Sequence, residues 1–355
     1  MKSNQDRKKQ VRVMNRADLI RTPPELATEA APQDWSIPPL YFEGEQPDFS
    51  GLHAENLAPG LWAVEAPKGL VRHLPGATVG QLDSRDLSTS FEHVTHGEAL
   101  HPRWLDKTYL PQVISTVTRR SAIRSGRQLI PLSFRMEWPE IAVNAYPWCT
   151  VGRVDFSNGR SGSGVLVGRS IVLTCSHGVP WDQRPWWIKF TPAMFDDHEK
   201  FGNSYVSEYW GYRTDPSETS AWDYVVCRLY TSLGDRCGYM GYHGSTDDGF
   251  YLNNDTWITV GYPGTMRPQT EFLIDIDDVD DDGDASELET PWDSMPGWSG
   301  GPLFGWINGD PKVIGVVSGN EIDSLGGWIS DSDHGVFAGG LAMARLISWA
   351  RANWP

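Results

Sequence analysis

Cysteine is scarce, at four in 355 residues, and Cys149, Cys175, Cys227 and Cys237 form no CxxC pair. That count and spacing exclude a disulfide framework and a zinc knot. Cys227 and Cys237 lie ten residues apart across an expected hairpin. They are either bridged in an oxidising compartment or buried as free thiols. No apolar run reaches the roughly 18 residues of a membrane-spanning helix. Positive charge is also in the minority, with 30 Lys and Arg against 46 Asp and Glu and a net charge of −16. A nucleic-acid groove needs the opposite balance. The opening "MKSNQDRKKQVRVMNRADL" has no apolar h-region, so the reading at face value is a cytoplasmic start. Its Lys2, Arg7, Lys8, Lys9, Arg12 and Arg16 read as a solvated basic tail.

What the chain has in quantity is glycine (36), proline (25) and tryptophan (17), on a hydrophobic fraction of 39%. That mixture points to short elements, many turns and an all-β core. Residues 1–140 are polar and proline-rich, with weak periodicity, and read as a weakly structured N-terminal extension or pro-segment. The basic cluster "TVTRRSAIRSGR" (116–127) reads as a soluble loop or a processing site. From about Trp148 the text changes to short β-branched and aromatic runs such as "CTVGRVDF", "GSGVLVG", "SIVLTCSH", "DYVVCRLY", "TWITVGYPG" and "KVIGVVSG". These recur every 10–25 residues or so, as in a barrel. At the end, Met343, Leu346, Ile347 and Ala350 fall at i, i+3, i+4 and i+7, which predicts a terminal amphipathic helix.

Three motifs in the β-rich region fit one mechanism. "LTCSHGV" puts His177 at a strand exit, "AWDYVVCRL" puts Asp223 at a strand start, and "MPGWSGGP" puts Ser299 in a glycine-rich turn. Acyl transfer needs these types: a hydroxyl nucleophile, an imidazole to carry its proton and a carboxylate to fix the imidazole tautomer. The gaps of 46 and 76 residues suit two packed β-barrels. Gly297 can take a positive φ, which lets its N–H and that of Ser299 face an oxyanion together.

The motifs "LTCSHGV", "WDYVVCRL" and "GWSGGPLF" resemble the His, Asp and Ser blocks of the trypsin-like (chymotrypsin-fold) serine proteases. The closest look is to the glutamyl endopeptidase branch, through "YPW" (146–148), "GYPG" (261–264) and the terminal "LISWARANW". The resemblance covers residues 141–355 and implies two packed six-stranded antiparallel β-barrels with a C-terminal helix. It also implies a serine endopeptidase that uses no cofactor or metal, acts on a protein or peptide and is usually secreted. Under it, Asp293 forms the floor of the P1 pocket, which suits Arg or Lys, and Ser318 and Asn320 lie on the strand that pairs with substrate. Glutamate-selective relatives carry a histidine where this chain has Val317, so P1 stays open between basic, glutamate and other side chains. Relatives activated by cleavage carry an aspartate before the serine, to receive the new N-terminal ammonium. Trp298 cannot do so, and it is expected to hold the loop by packing, with its indole N–H given to a carbonyl.

"DVDDDGDASELE" (278–289) has the spacing of a calcium loop. Ala285 and the strand-like text before it favour a solvated acidic loop instead. Two further readings of function stand beside the endopeptidase: a catalytically silent homologue that binds protein, with the N-terminal segment masking the groove in cis, and a hydrolase of small esters.

Overall fold

The computed structural model describes residues 11–32, 76, 78–82, 94–115, 138–215, 217–264, 266–322 and 333–354, and the backbone of short strands at 40–43, 53–58, 61–65, 123–124 and 127–128. Lys2, Arg7, Lys8, Lys9 and most of the 116–127 cluster lie outside the described residues.

Six antiparallel strands close a barrel. In spatial order they are Ile188–Pro192, Val151–Phe156, Ser161–Gly168, Ile171–Thr174, Val225–Leu229 and Ser204–Gly211. Closure comes from Lys189↔Tyr205 and Phe190↔Ser204. The text explains the packing. Ile171–Thr174 reads IVLT and is buried along its whole length, which suits a strand covered on both faces.

The second unit is a sheet that runs Asp278–Asp282, Ala285–Thr290, Asp333–Gly339, Asp310–Ile322, Pro302–Ile307, Trp257–Gly261, Gln269–Ile274, Glu140–Ala142 and Gln112–Ser115, with Gly241–His243 pairing off this path. It carries its own core of Trp138, Trp257, Trp292, Trp298, Leu303 and Phe337. The chain ends in the helix Gly340–Asn353, and the four apolar positions that predicted it are all fully buried. The fold is therefore mostly β, as the sequence indicates.

The described parts of the N-terminal segment are woven into both units. Thr78–Gln81 adds a parallel strand to Ser204–Gly211 of the barrel. Met14 donates its N–H to Trp306 O at 2.8 Å, and Glu25 and Lys107 exchange backbone hydrogen bonds at 2.9 and 2.8 Å. Trp148 donates its indole N–H to Thr108.

All four cysteines are free and buried. Burial pushes the thiols of Cys149, Cys227 and Cys237 well above their ordinary value, so they behave as small apolar groups. The acidic run 278–289 is a β-hairpin, not a loop, with Asp278 opposite Glu289 and Gly283 in the turn at φ +70°. Several of its carboxylates have protein partners: Asp282 accepts the Trp222 indole N–H at 2.8 Å, Asp281 accepts the Ser286 hydroxyl, and Asp284 pairs with Arg345.

Candidate active site

His177 follows the barrel strand Ile171–Thr174, and Asp223 stands two residues before the neighbouring strand Val225–Leu229. The antiparallel ladder sets Thr174 opposite Val225, so the end of one strand lies beside the start of the other. His177 Nδ1 meets Asp223 Oδ2 at 2.6 Å. Asp223 is fully buried, and a buried carboxylate has to be met by donors. Its Oδ1 accepts the Ser176 amide at 2.8 Å, the His177 amide at 2.9 Å and the Thr214 hydroxyl at 3.1 Å. Its Oδ2 accepts the Ser318 hydroxyl at 2.7 Å beside the imidazole. Because the carboxylate accepts, Nδ1 carries a proton, and in the neutral ring Nε2 has the lone pair. The Cys175 sulfur and then Asp223 push the imidazole above the ordinary histidine value, while burial pulls it down.

The second sheet brings Ser299 to this pair. A Cβ at Gly300 would lie 2.3 Å from Thr174 Oγ1 and 2.6 Å from the Cys175 nitrogen, a close approach that only glycine permits. Gly300 also donates its N–H to Val317 O at 2.8 Å, next to the Ser318 that holds Asp223. The Ser299 turn is thus pinned to the strand that leads to His177 and to the residue beside Ser318, a partner of Asp223. Among the described residues no hydrogen bond joins Ser299 to His177. Gly297 has φ +100°. Among the described residues no acceptor takes the N–H of Gly297 or of Ser299, and both residues are partly open to solvent.

Trp298 is fully buried, as expected for a packed residue. Its ring centroid lies 4.7 Å from Trp292 and 6.0 Å from Trp138. The expected carbonyl acceptor is absent, because its N–H has no partner among the described residues. The indole sits against other rings, which offer packing and no oxygen. The "GYPG" turn lies on the same loop: a Cβ at Gly261 would touch the Trp298 ring at 3.0 Å.

Of the residues expected to bind substrate, Asp293 and Asn320 meet each other and Ser318 does not join them. The Asn320 amide N–H donates to Asp293, and Asn320 Oδ1 accepts both the N–H and the hydroxyl of Ser294 at 2.8 Å. Ser318 sits at a register shift between Val317 and Gly319 that takes it out of the ladder and turns its hydroxyl to Asp223. Beside it opens a cavity of about 300 Å³ lined by Gln81, Leu82, Tyr212, Thr214, Ser220 and Trp222, among others. Two of these come from the N-terminal segment. Thr214, Trp138 and Trp292 stand outside the catalytic motifs and were not legible as site residues, and Ser163 lies on the strand Ser161–Gly168 ahead of the histidine with a role that only its tertiary contacts show.

Compared by sequence with known families and with curated proteins, the chain matches none. Among solved structures it is similar to a Glu endopeptidase in complex with MPD, at 19% identity over 58% of this chain and 92% of that one, TM-score 0.45. It is similar to the protease Anisep from Arthrobacter nicotinovorans, at 16% identity over 57% and 96%, TM-score 0.42. A thermostable serine protease AL20 from an extremophilic microorganism gives 16% identity over 57% and 97%, TM-score 0.41. The chain's own strand pairings give a closed six-stranded antiparallel barrel and a second sheet, followed by a C-terminal helix.

Proposed function

We propose that the chain is a serine endopeptidase. The observation that carries this reading is the 2.6 Å contact of His177 Nδ1 with a fully buried Asp223. Such a carboxylate fixes the ring so that Nε2 can act as a base. Ser299 Oγ attacks the scissile carbonyl and gives its proton to Nε2. The free N–H groups of Gly297 and Ser299 receive the oxyanion as it forms. His177 then protonates the leaving amine, and water, activated by the same nitrogen, releases the acyl group. The cleft beside Asp223 takes the residues N-terminal to the scissile bond. Asp293, whose carboxylate accepts from the Asn320 amide, favours Arg or Lys at P1 through its own negative charge.

One experiment covers reaction and specificity. The full chain is treated with a fluorophosphonate and assayed on matched Arg, Lys and Glu peptide esters. Labelling is expected in the wild type and absent in Ser299→Ala, with Arg and Lys esters turned over faster than Glu. No labelling of the wild type would end the endopeptidase reading, and a faster Glu ester would move only the P1 assignment.

A further inference from the structure

Ser163 lies in the barrel strand Ser161–Gly168, is fully buried, and uses every polar group it has at the junction with the nucleophile turn. Its N–H donates to Ser299 O at 2.8 Å. Its hydroxyl donates to Gly297 O at 2.7 Å and accepts the Tyr262 N–H at 2.8 Å. Its carbonyl accepts the Thr174 hydroxyl at 2.7 Å, on the strand that leads to His177.

Three successive carbonyls of the turn are thereby held. Ser163 Oγ takes that of Gly297, the Gly301 N–H takes that of Trp298 at 2.7 Å, and the Ser163 N–H takes that of Ser299. The Gly297 and Ser299 amides keep free protons while all three carbonyls are occupied. Glycine at φ +100° has little of its own to keep it there, because it populates both signs of φ at similar cost. A rotation of the peptide before Gly297 would turn its N–H away from the oxyanion. The space around the residue opposes this on one side, where Tyr262 O and Gly264 N lie 2.6 Å from an added Cβ. The hydroxyl of Ser163 holds the following peptide through the Gly297 carbonyl, and so anchors the Cα about which the preceding peptide turns.

We propose that Ser163 is a positioning residue of the oxyanion hole, whose hydroxyl holds the Gly297 carbonyl in a turn where residue 298 offers no charge to anchor it. The backbone contacts of Ser163 survive any substitution, so the side chain alone is under test. This inference rests on the endopeptidase reading. The experiment measures kcat and KM on an Arg ester for wild type, Ser163→Ala and Ser163→Thr, together with the affinity of a peptide aldehyde whose adduct places an oxyanion in the hole. Losing a whole oxyanion donor costs ~10²–10³ in turnover; loss of its alignment in Ser163→Ala is expected to cost roughly 10–100-fold in kcat, with KM within about twofold. Aldehyde affinity should weaken by the same factor as kcat/KM, and Ser163→Thr should recover most of the loss. A merely structural role would lower the melting temperature and spare both kcat and aldehyde affinity in the folded fraction, which overturns the proposal. Should Ser163→Ala not fold, Ser163→Cys keeps the size with a weaker donor, and an intermediate kcat is expected; wild-type kcat there also overturns it. A wild type inert to ester and fluorophosphonate alike would instead remove the endopeptidase reading beneath it.

Discussion

At the scale of single residues, five donors surround Asp223: two amides, two hydroxyls and one imidazole. Three of the five, the Ser176 amide and the amide and ring of His177, come from a motif readable in the sequence. Thr214 arrives from a loop and Ser318 from the strand Asp310–Ile322, and no spacing rule points to either as a partner of Asp223. Ser318 had been expected to pair with substrate, and the register shift beside it turns its hydroxyl inward. The Cys175 sulfur has a testable effect on His177. Acylation needs the neutral imidazole, and a raised pKa keeps the ring charged to higher pH. The rising limb of kcat/KM against pH is therefore expected above the ordinary imidazole value of about 6.5. Cys175→Ala removes the largest cause of the rise, so the limb should move to lower pH. A limb that does not move would leave Asp223 as the group that sets it.

At the scale of elements, the nucleophile turn is clamped between polar contacts from the barrel and a tryptophan cluster beneath it. Burial of Trp298 was legible, because an indole in a glycine-rich turn has few other places to go. Its company was not. Trp138 precedes the expected start of the catalytic domain at 141, yet it is 5% exposed and packs on Trp292 and Trp298, with centroids at 5.6 and 6.0 Å. Removing a buried tryptophan typically costs about 3–5 kcal/mol. Trp138→Ala is expected to lower stability by that order in a urea titration and to slow fluorophosphonate labelling of Ser299 at temperatures where the protein is still folded. Unchanged labelling would confine Trp138 to a packing role. The acidic run shows the limit of motif spacing. Its calcium-like offsets fall on a hairpin, where side-chain period two sets Asp278, Asp280 and Asp282 along one face and does not wrap them around a centre.

At the scale of the whole molecule, the N-terminal segment reads differently in text and in space. Low hydrophobicity and many prolines suggest a removable extension. In the structure its described parts lend a strand to the barrel, pair with Trp306, and place Gln81 and Leu82 in the cleft beside Asp223. A chain that starts at residue 128 is therefore expected to melt well below the full chain and to show a raised KM on peptide substrates if it stays soluble. Equal melting temperature and equal turnover would mark the segment as dispensable.

The order His177, Asp223, Ser299, the β-rich text and the terminal helix were all determined by the sequence alone, because each depends on local residue type and periodicity. Tertiary structure decided the rest: which hydroxyls reach Asp223, what fills the space under Trp298, and how Ser163 grips the turn. Most of these contacts join residues far apart in the chain, Ser318 and Asp223 by 95 positions and Ser163 and Gly297 by 134, and no local pattern in the chain encodes them.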